Sequence, residues 1–333
     1  MSQTVQHQQS TAACSRFIVD AHCDTALRLA AGESLTPSGQ PSGHVDLPRL
    51  RAGDVGLQVF ALWVDADRNE SGRLRRCIEL LDAVKREVQR LSEDMQLILS
   101  PRDLDAAAAA GKVGVLLSVE DGAALEGSLA ALRALYDLGV RALGLTWNGR
   151  NELADGVGVA NGAGQGLTPF GREVVREMNR LGMVVDVSHL SEAGFWDVLE
   201  ISAAPVIASH SNAKALCGHR RNLTDEQIKA LAARGGVIGI NFFPAFLSDS
   251  GQASLDDIVR HIDYIVSLVG PAHVGFGSDF DGISSTPAGV EDVSRMGAVV
   301  DALLARGYSD DDVRGIAGNN FLRVFRQVLR DTD

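Results

Sequence analysis

Imidazole and carboxylate side chains follow short apolar runs at several places in this 333-residue chain. The first run leads into Asp20-Ala-His-Cys-Asp24, in which His22 and Asp24 are two residues apart. Residues at this spacing face the same side of an extended strand, so the pair could bind one divalent cation through a nitrogen and an oxygen. A lone His-x-Asp pair is common by chance, and it indicates a metal site only together with further ligands.

Three later apolar runs end in residues of the same types. One ends at Glu120, and two others end in Ser-His pairs at His189 and His210. A buried carboxylate must be paired or bind a metal, whereas a single histidine at a strand end is usually an ordinary hydrogen-bonded residue. Together with the first pair, these side chains provide five ligands, which fit two zinc-like ions about 3.5–4 Å apart with one shared carboxylate.

Two other side chains could act on a substrate. Asp279 follows the apolar run His273–Ser278, and it could carry a proton to and from a metal-bound water. Arg221 could hold a substrate carboxylate through two parallel hydrogen bonds, although a surface arginine pair explains Arg220 and Arg221 equally well. Asp281, next to a glycine, is interpreted as a turn residue.

Strand-like and helix-like segments alternate along the chain and must position these residues. Eight short apolar runs are typical of a parallel sheet covered on both faces. They are Phe17–His22, Gly56–Trp63, Val113–Glu120, Val140–Trp147, Met183–His189, Pro205–His210, Val237–Asn241 and His273–Ser278. Eight such units favour an α/β fold, a (β/α)8 TIM barrel, in which the strand ends converge on one mouth. An open, doubly wound sheet is the alternative.

The helices predicted between the strands have apolar residues spaced by three or four. They are Glu70–Ser92, Leu125–Leu138, Phe170–Leu181, Ser191–Ile201, Thr224–Ala233, Ser254–Val269 and Arg295–Arg306, and an additional C-terminal helix is predicted over Ser309–Leu329. Thr224 and Gln227 have the spacing of a capping box at one helix start.

Composition narrows the class of protein. The chain is 45% hydrophobic and 22% charged, as ordinary globular proteins are, and its net charge of −12 with no basic block argues against nucleic-acid binding. No apolar run reaches the roughly 20 residues of a membrane helix. Residues 1–15 are polar and predicted to be loosely ordered or disordered, and residues 16–330 to form a single barrel domain. Four cysteines without CxxC spacing are typical of the cytoplasm.

With these residues in place, the sequence resembles the membrane (renal) dipeptidase family, zinc dipeptidases with an amidohydrolase-like barrel. The matching stretches occur in the family's order over nearly the whole chain. They are Asp20–Asp24, Ser118–Gly122, Val184–His189, Pro205–Ser211, Arg220–Asn222, His273–Gly282 and Gly318–Phe325.

The resemblance implies a role for each candidate. His22 and Asp24 would bind one zinc ion, His189 and His210 the other, and Glu120 would bridge the two ions. Co²⁺ or Mn²⁺ could replace zinc, because the same ligands accept them. Arg221 and Asp279 would match the family's substrate-contacting arginine and aspartate.

The family cleaves dipeptides and tolerates a D-residue at the C-terminal position. Its animal members are lipid-anchored, whereas this sequence has no signal peptide or hydrophobic tail, so we expect a cytoplasmic enzyme that does not associate with membranes. Homodimers occur in the family, so the resemblance allows a homodimer here, but the sequence leaves the oligomeric state open.

This sequence departs from the family's pattern at one position that concerns substrate binding. Animal members of the family have a histidine where this chain has Trp147, and an indole can donate one hydrogen bond but cannot titrate. The sequence therefore predicts a binuclear zinc dipeptidase with Trp147 in its substrate pocket. It leaves two alternatives open: a hydrolase of lactones or cyclic amides with the same metal site, and a metal-bound barrel without catalytic activity.

Overall fold

A computed structural model of the chain describes residues 17–39, 42–65, 71–159 and 165–331. The predicted N-terminal segment 1–15 lies outside these residues. Their strands are β1 Ile18–Cys23, β2 Val55–Trp63, β3 Met95–Leu97, β4 Val113–Glu120, β5 Val140–Gly144, β6 Val184–Asp186, β7 Ile207–Ala208, β8 Val237–Ile240 and β9 Val274–Phe276.

Eight of these strands form a closed, parallel barrel. Its order is β1, β2, β4, β5, β6, β7, β8 and β9, and the ring closes where Asp20 of β1 pairs with Phe276 of β9. The (β/α)8 barrel predicted from the sequence is confirmed, and the open sheet is excluded. Nearly all strand residues are buried because helices cover the outside of the barrel while side chains fill its interior.

The short strand β3 was not predicted. It pairs with Val113–Val115 at the start of β4, along the edge that β5 occupies from Leu117 onward. Three residues preceded by a polar turn carry too little apolar periodicity to indicate a strand. This strand therefore extends the sheet outside the ring.

The helices of the described residues lie mainly between consecutive strands. They are α1 Ala26–Ala30, α2 Leu47–Ala52, α3 Arg73–Arg90, α4 Pro101–Ala109, α5 Leu129–Asp137, α6 Pro169–Leu181, α7 Glu192–Ile201, α8 Asp225–Ala233, α9 Pro244–Leu247, α10 Leu255–Val269, α11 Met296–Ala305, α12 Asp310–Arg314 and α13 Asn320–Val328. Short 3₁₀ turns occupy Gly122–Leu125, Pro271–His273 and Val293–Arg295. The capping box at the start of α8 is confirmed, with Thr224 N donating to Gln227 Oε1 at 3.0 Å.

The predicted C-terminal helix over Ser309–Leu329 is confirmed as a continuous helical segment from Asp310 to Val328, but it is not α-helical throughout. A π-helical turn at Gly315–Asn319 separates α12 from α13. Asn320 follows this turn, and its side chain donates to the carbonyl oxygens of Pro271 and Val274 at 2.7 and 2.8 Å. The widened turn fits this docking of the chain end against the start of β9.

The additional C-terminal helix α13 contributes to the core. Its Phe321 and Phe325 are fully buried, and they join a hydrophobic cluster with Val19, Leu57 and Leu116 of three barrel strands. None of the helices in the described part of the chain has the length and apolarity that crossing a bilayer requires.

Candidate metal centre

The five predicted metal ligands all lie at the carboxyl-terminal mouth of the barrel. His22 and Glu120 are at the ends of β1 and β4, and Asp24 directly follows β1. His189 and His210 were predicted as the last residues of their strands, but β6 ends at Asp186 and β7 at Ala208. The two histidines lie in the turns beyond, and His189 has a left-handed backbone (φ 67°) that cannot continue a strand.

The five side chains converge on Glu120. Its Oε2 lies 3.3 Å from His22 Nε2, and its Oε1 lies 3.1 Å from His189 Nε2 and 3.8 Å from His210 Nε2. Among the described residues, the donor atoms form three groups, and within each group all atoms lie within 4.8 Å of one another. Two groups share Glu120, and the third does not contain it. The two that share it are His22, Asp24 and Glu120, and Glu120, His189 and His210, and the third is His22, His210 and Asp279.

The chemistry of these donors fits a divalent cation. His189 Nδ1 lies 3.1 Å from the side-chain oxygen of Asn148, so the proton is on Nδ1 and the lone pair of Nε2 faces the centre. His189 Nε2 lies only 2.9 Å from His210 Nε2, and His22 Nε2 is buried without a hydrogen-bond partner among the described residues. A cation would relieve this concentration of lone pairs and carboxylate charge.

Asp186 fixes the orientation of His210 through Ser209. The Asp186 carboxylate accepts hydrogen bonds from the backbone N–H groups of Ser188 and Ser209, both at 2.9 Å, and from the Ser209 hydroxyl. Because that hydroxyl donates to Asp186, Ser209 Oγ accepts from His210 Nδ1 at 2.7 Å. The lone pair of His210 Nε2 then faces the metal centre.

A second buried carboxylate, Asp20 of β1, connects this strand to β2 and to the segment that follows β9. Ser278 donates to it twice, from its backbone N–H at 2.7 Å and from its hydroxyl at 2.6 Å, and Gln58 Nε2 donates at 3.0 Å. Burial raises the pKa of Asp20 above its ordinary value, although these hydrogen bonds oppose the shift. Asp20 and Asp186 were not singled out from the sequence. Each is an acidic residue inside a predicted apolar strand, and this feature could have identified them because a buried carboxylate needs partners.

The carboxylates and imidazoles of the centre have strongly shifted pKa values. Burial and the neighbouring Glu120 charge raise the pKa of Asp24 to about 8. Burial opposes ionisation of Glu120, but the nearby His22 charge lowers the pKa of Glu120 below its ordinary value. Burial also lowers the pKa of His22, yet the charges of Glu120 and Asp24 outweigh it and raise that pKa well above its usual range.

The other two histidines are held neutral. Burial, followed by the nearby Arg221 charge, lowers the pKa of His189 to about 3. Burial and the His22 charge lower the pKa of His210 well below its ordinary value. Neutral imidazole is the form that binds metal, so both side chains are ready to act as ligands near neutral pH.

The predicted substrate residues lie around the same mouth. Asp279 has a left-handed backbone (φ 64°), its Oδ1 lies 3.9 Å from His22 Nε2, and its Oδ2 accepts from Asn241 Nδ2 at 2.8 Å. Burial raises the pKa of Asp279 above its ordinary value. Arg221 is 4% exposed, donates from Nη2 to the His210 carbonyl at 3.2 Å, and has a buried Nε without a partner among the described residues.

A cavity of about 450 Å³ opens above the donor groups. Asp24, Glu120, His189, Arg221 and Asp279 line it, as do Trp63, Trp147, Phe243 and Phe246. The structure thus brings all eight predicted site residues to one mouth of the barrel.

Asp281 has more partners than a simple turn residue. Its carboxylate accepts hydrogen bonds from Thr25 Oγ1 at 2.7 Å, Arg28 Nη1 at 2.9 Å and the backbone N–H of His44 at 2.6 Å. Its own backbone N–H donates to His44 Nδ1 at 2.9 Å. These contacts hold the loop that carries Asp279 against the end of β1, next to Asp24.

A (β/α)8 barrel whose mouth gathers imidazoles, carboxylates, a buried arginine and a substrate-sized cavity defines a metal-dependent hydrolase. The chain belongs to the membrane dipeptidase family, peptidase family M19, whose model matches residues 7–332. The resemblance noted in the sequence is therefore confirmed. The protein is a metallo-dipeptidase.

Individual relatives agree with this assignment. The chain is similar to the dipeptidase aclJ of Aspergillus oryzae, with 38% identity over 296 residues that cover 86% of this chain and 70% of the relative. The crystal structure of the metallopeptidase dipeptidase AC has a TM-score of 0.88 and 29% identity, covering 96% of this chain and 100% of that chain. A Rhodobacter sphaeroides metallopeptidase, solved with a phosphinate mimic of the dipeptide L-Ala-D-Ala, has a TM-score of 0.87 and 29% identity over 95% and 100% of the two chains.

Proposed function

We propose that this metallo-dipeptidase is a binuclear zinc enzyme whose substrates include dipeptides with a D-residue at the C-terminal position. The observation that carries the binuclear assignment is the pair of donor groups that share Glu120. The proposed D-residue tolerance is supported by the Rhodobacter relative, which was solved with a mimic of L-Ala-D-Ala.

His22 and Asp24 would hold one ion, His189 and His210 the other, and Glu120 would bridge them. Two divalent ions bound there would supply Lewis acidity for the scissile carbonyl and a nucleophilic water near neutral pH. Zn²⁺ suits this set of imidazole and carboxylate ligands, and Co²⁺ or Mn²⁺ could substitute. Asn148 would hold His189, and the Asp186–Ser209 pair would hold His210, in the tautomer with the proton on Nδ1.

Asp279 is the proposed proton carrier. Its carboxylate takes a proton from the attacking water and delivers it to the nitrogen of the leaving amino acid as the C–N bond breaks. Asn241 orients this carboxylate by donating to Oδ2, which leaves Oδ1 facing the metal centre. The raised pKa of Asp279 helps it to hold the proton between the two transfers.

Arg221 is the proposed anchor for the substrate carboxylate. It lines the cavity, it is buried, and its Nε has no partner among the described residues. Burial lowers the pKa of Arg221 to about 10, so the guanidinium still carries its charge near neutral pH. Binding the C-terminal carboxylate there would fix the position of the scissile bond relative to the donor groups.

Trp147 would contribute apolar contact to substrate binding, since it lines the cavity and its ring centre lies 6.1 Å from that of His189. The cytoplasmic location and the domain boundaries 16–330 stay predictions from the sequence, which leaves the oligomeric state open.

A dipeptide panel tests the proposed function. Zinc-loaded protein is incubated with matched L-Xaa-L-Xaa and L-Xaa-D-Xaa dipeptides, with and without a chelator, and released amino acids are quantified. We expect chelator-sensitive release from both series and about two zinc ions per chain by elemental analysis. Cleavage that persists without metal, or one ion per fully active chain, would contradict the binuclear assignment. Failure to cleave the whole D-series would contradict the proposed stereochemical range.

A further inference from the structure

We propose that Trp63 and Trp147 form an aromatic wall that receives the side chain of the substrate's N-terminal residue and gives the enzyme a preference for a bulky apolar residue there. This inference rests on the proposed function, because it assumes a dipeptide whose carboxylate is bound by Arg221.

The two indoles are in direct contact. Their ring centres are 5.3 Å apart and the rings meet edge to face at 62°, which is a favourable aromatic arrangement. Trp63 is the last residue of β2, and Trp147 lies three residues beyond the end of β5. Both side chains line the 450 Å³ cavity, so together they present one continuous aromatic surface to a bound molecule. Its one buried polar atom without a partner among the described residues is Trp63 Nε1, a hydrogen-bond donor.

The order of strands in the barrel places Trp63 opposite Arg221, whereas Trp147 follows β5, which is two positions from β7 in the ring. Arg221 follows β7, and in the ring of eight strands β2 and β7 are four positions apart in either direction. A dipeptide with its carboxylate at Arg221 and its scissile carbonyl at the donor groups must extend its N-terminal residue away from β7. The mouth on that side is formed by the ends of β1, β2, β4 and β5, where Trp63 and Trp147 lie.

The charges that line the cavity leave no counter-ion for a charged side chain at the wall. Asp24 and Glu120 belong to the donor groups, and Asp279 is the proposed proton carrier. The Asp281 carboxylate is already bound by Arg28. Arg220 is on the β7 side with Arg221. No counter-ion for a charged substrate side chain is therefore present at the wall among the described lining residues. Dispersion and burial of apolar surface favour leucine or phenylalanine over alanine or aspartate as the substrate's N-terminal residue.

Binding measurements with inert dipeptide mimics test the wall without turnover. Zinc-loaded protein is titrated by calorimetry with three phosphinate mimics that end in D-Ala and carry an Ala, Phe or Asp side chain at the N-terminal position. We expect the Phe mimic to bind about tenfold more tightly than the Ala mimic, and the Asp mimic to bind most weakly.

Variants then assign the preference to particular residues. Trp63→Ala should remove most of the preference for the Phe mimic, measured as the ratio of its affinity to that of the Ala mimic, while the Ala mimic still binds. Trp63→Phe should restore part of this ratio because it returns an aromatic ring. Trp147→His should also reduce the ratio. Phe243→Ala is the matched control, because Phe243 lines the same cavity from the β8 side and should leave the ratio unchanged.

Fluorescence reports independently on where the side chain binds. The chain has three tryptophans, and Trp196 on α7 is 39% exposed and does not line the cavity. In a Trp196→Phe background, only the two wall tryptophans remain, and the Phe mimic should change their emission spectrum more than the Ala mimic does.

The outcomes separate this inference from the proposed function. If dipeptides are cleaved but the three mimics bind equally, or if Trp63→Ala and Trp63→Phe both keep the full ratio, the wall is refuted and the dipeptidase assignment stands. If no dipeptide is cleaved and no mimic binds, both are refuted. A ratio that disappears in Trp63→Ala and returns in Trp63→Phe supports the wall.

Discussion

Gly282 lies so close to Asp24 that a Cβ atom on its α-carbon would be 2.1 Å from Asp24 Oδ2 and 2.7 Å from Asp279 Oδ1. Real Cβ atoms do not approach other atoms this closely, so one or both carboxylates would have to move. The glycine that follows Asp281 therefore allows the loop after β9 to pass beside a proposed metal ligand.

Replacing Gly282 with alanine should damage the metal centre and leave the barrel folded. We expect metal affinity and kcat/KM to fall by about 10–100-fold, the range seen when residues supporting a metal ligand are lost. Zinc binding by competition with a fluorescent chelator measures the first quantity. Gly39→Ala is the control, because a Cβ there meets nothing within 4 Å. Wild-type zinc affinity in Gly282→Ala would contradict the close contact.

Replacing Asp279 with asparagine should abolish most turnover while the metal content stays the same. Asparagine has nearly the same shape and can still pair with Asn241, but it cannot carry a proton. We expect kcat to fall by about 10²–10⁴-fold, the usual contribution of general acid–base catalysis. Steady-state kinetics and elemental analysis on the same sample check both parts. Turnover near the wild-type rate would rule out the proton-carrying role.

Replacing Arg221 with methionine should mainly raise KM for dipeptides that have a free carboxylate. Hydrogen bonds to a charged group contribute about 1.5–3 kcal/mol, which corresponds to an increase of roughly 10–150-fold. The comparison substrate is the same dipeptide with an amidated C-terminus, on which the substitution should have a much smaller effect. An equal effect on both substrates would show that Arg221 does not bind the carboxylate.

Replacing Ser209 with alanine should weaken metal binding although it changes none of the five proposed metal ligands. The change removes the hydroxyl between Asp186 and His210, so the imidazole loses the partner that fixes its tautomer. We expect zinc affinity to fall by about 10–100-fold. Ser267→Ala on the exposed side of α10 is the control. Unchanged zinc affinity in Ser209→Ala would show that the His210 orientation does not depend on this pair.

His261 should make the fold sensitive to acid. It is fully buried, its Nδ1 accepts from the backbone N–H of Ala213 at 3.1 Å, and its Nε2 donates to the Leu247 carbonyl at 3.0 Å. Burial lowers the pKa of His261 to about 4. The ordinary pKa of histidine is about 6.5, so the unfolded chain binds this proton first as the pH falls.

The stability contributed by neutral His261 is therefore complete above about pH 6.5 and is lost as the pH falls towards 4, by about 3 kcal/mol. Urea unfolding of the metal-free protein at pH 7, 5.5 and 4 measures this loss. In His261→Gln, which cannot titrate, the free energy of unfolding should fall less over the same range. Identical pH dependence in both proteins would contradict the shifted pKa.

One physical reason makes both the barrel strands and the candidate metal ligands predictable from the sequence. A strand buried on both faces must be apolar, so each polar residue at the end of such a run is conspicuous, as His22 and Glu120 are. The strand ends themselves were less predictable. Five predicted strands continued too far, to Trp147, His189, His210, Asn241 and Ser278. At His189 the reason is a left-handed backbone, which the type of side chain does not indicate.

Residues that support the ligands were harder to find. Asp20 takes its partners from Gln58 and Ser278, which are distant in sequence, and the role of Asp186 depends on Ser209 in the next strand–helix unit. No local spacing encodes such contacts. The π turn before α13 is similar, since it accompanies the docking of Asn320 against the segment before and within β9.

The ring of strands closes between β1 and β9, its first and last members, and Asp24 and Asp279 lie on the two sides of that seam. Backbone hydrogen bonds from Asp279 N–H to the His22 carbonyl and from Asp24 N–H to the Phe280 carbonyl continue the pairing of β1 with the β9 segment to the mouth of the barrel. A growing chain on the ribosome therefore lacks the proposed proton carrier until Asp279 has been added, long after the first proposed metal ligands at the end of β1. Fragments that end before Asp279 should be inactive even though they can contain all five proposed metal ligands.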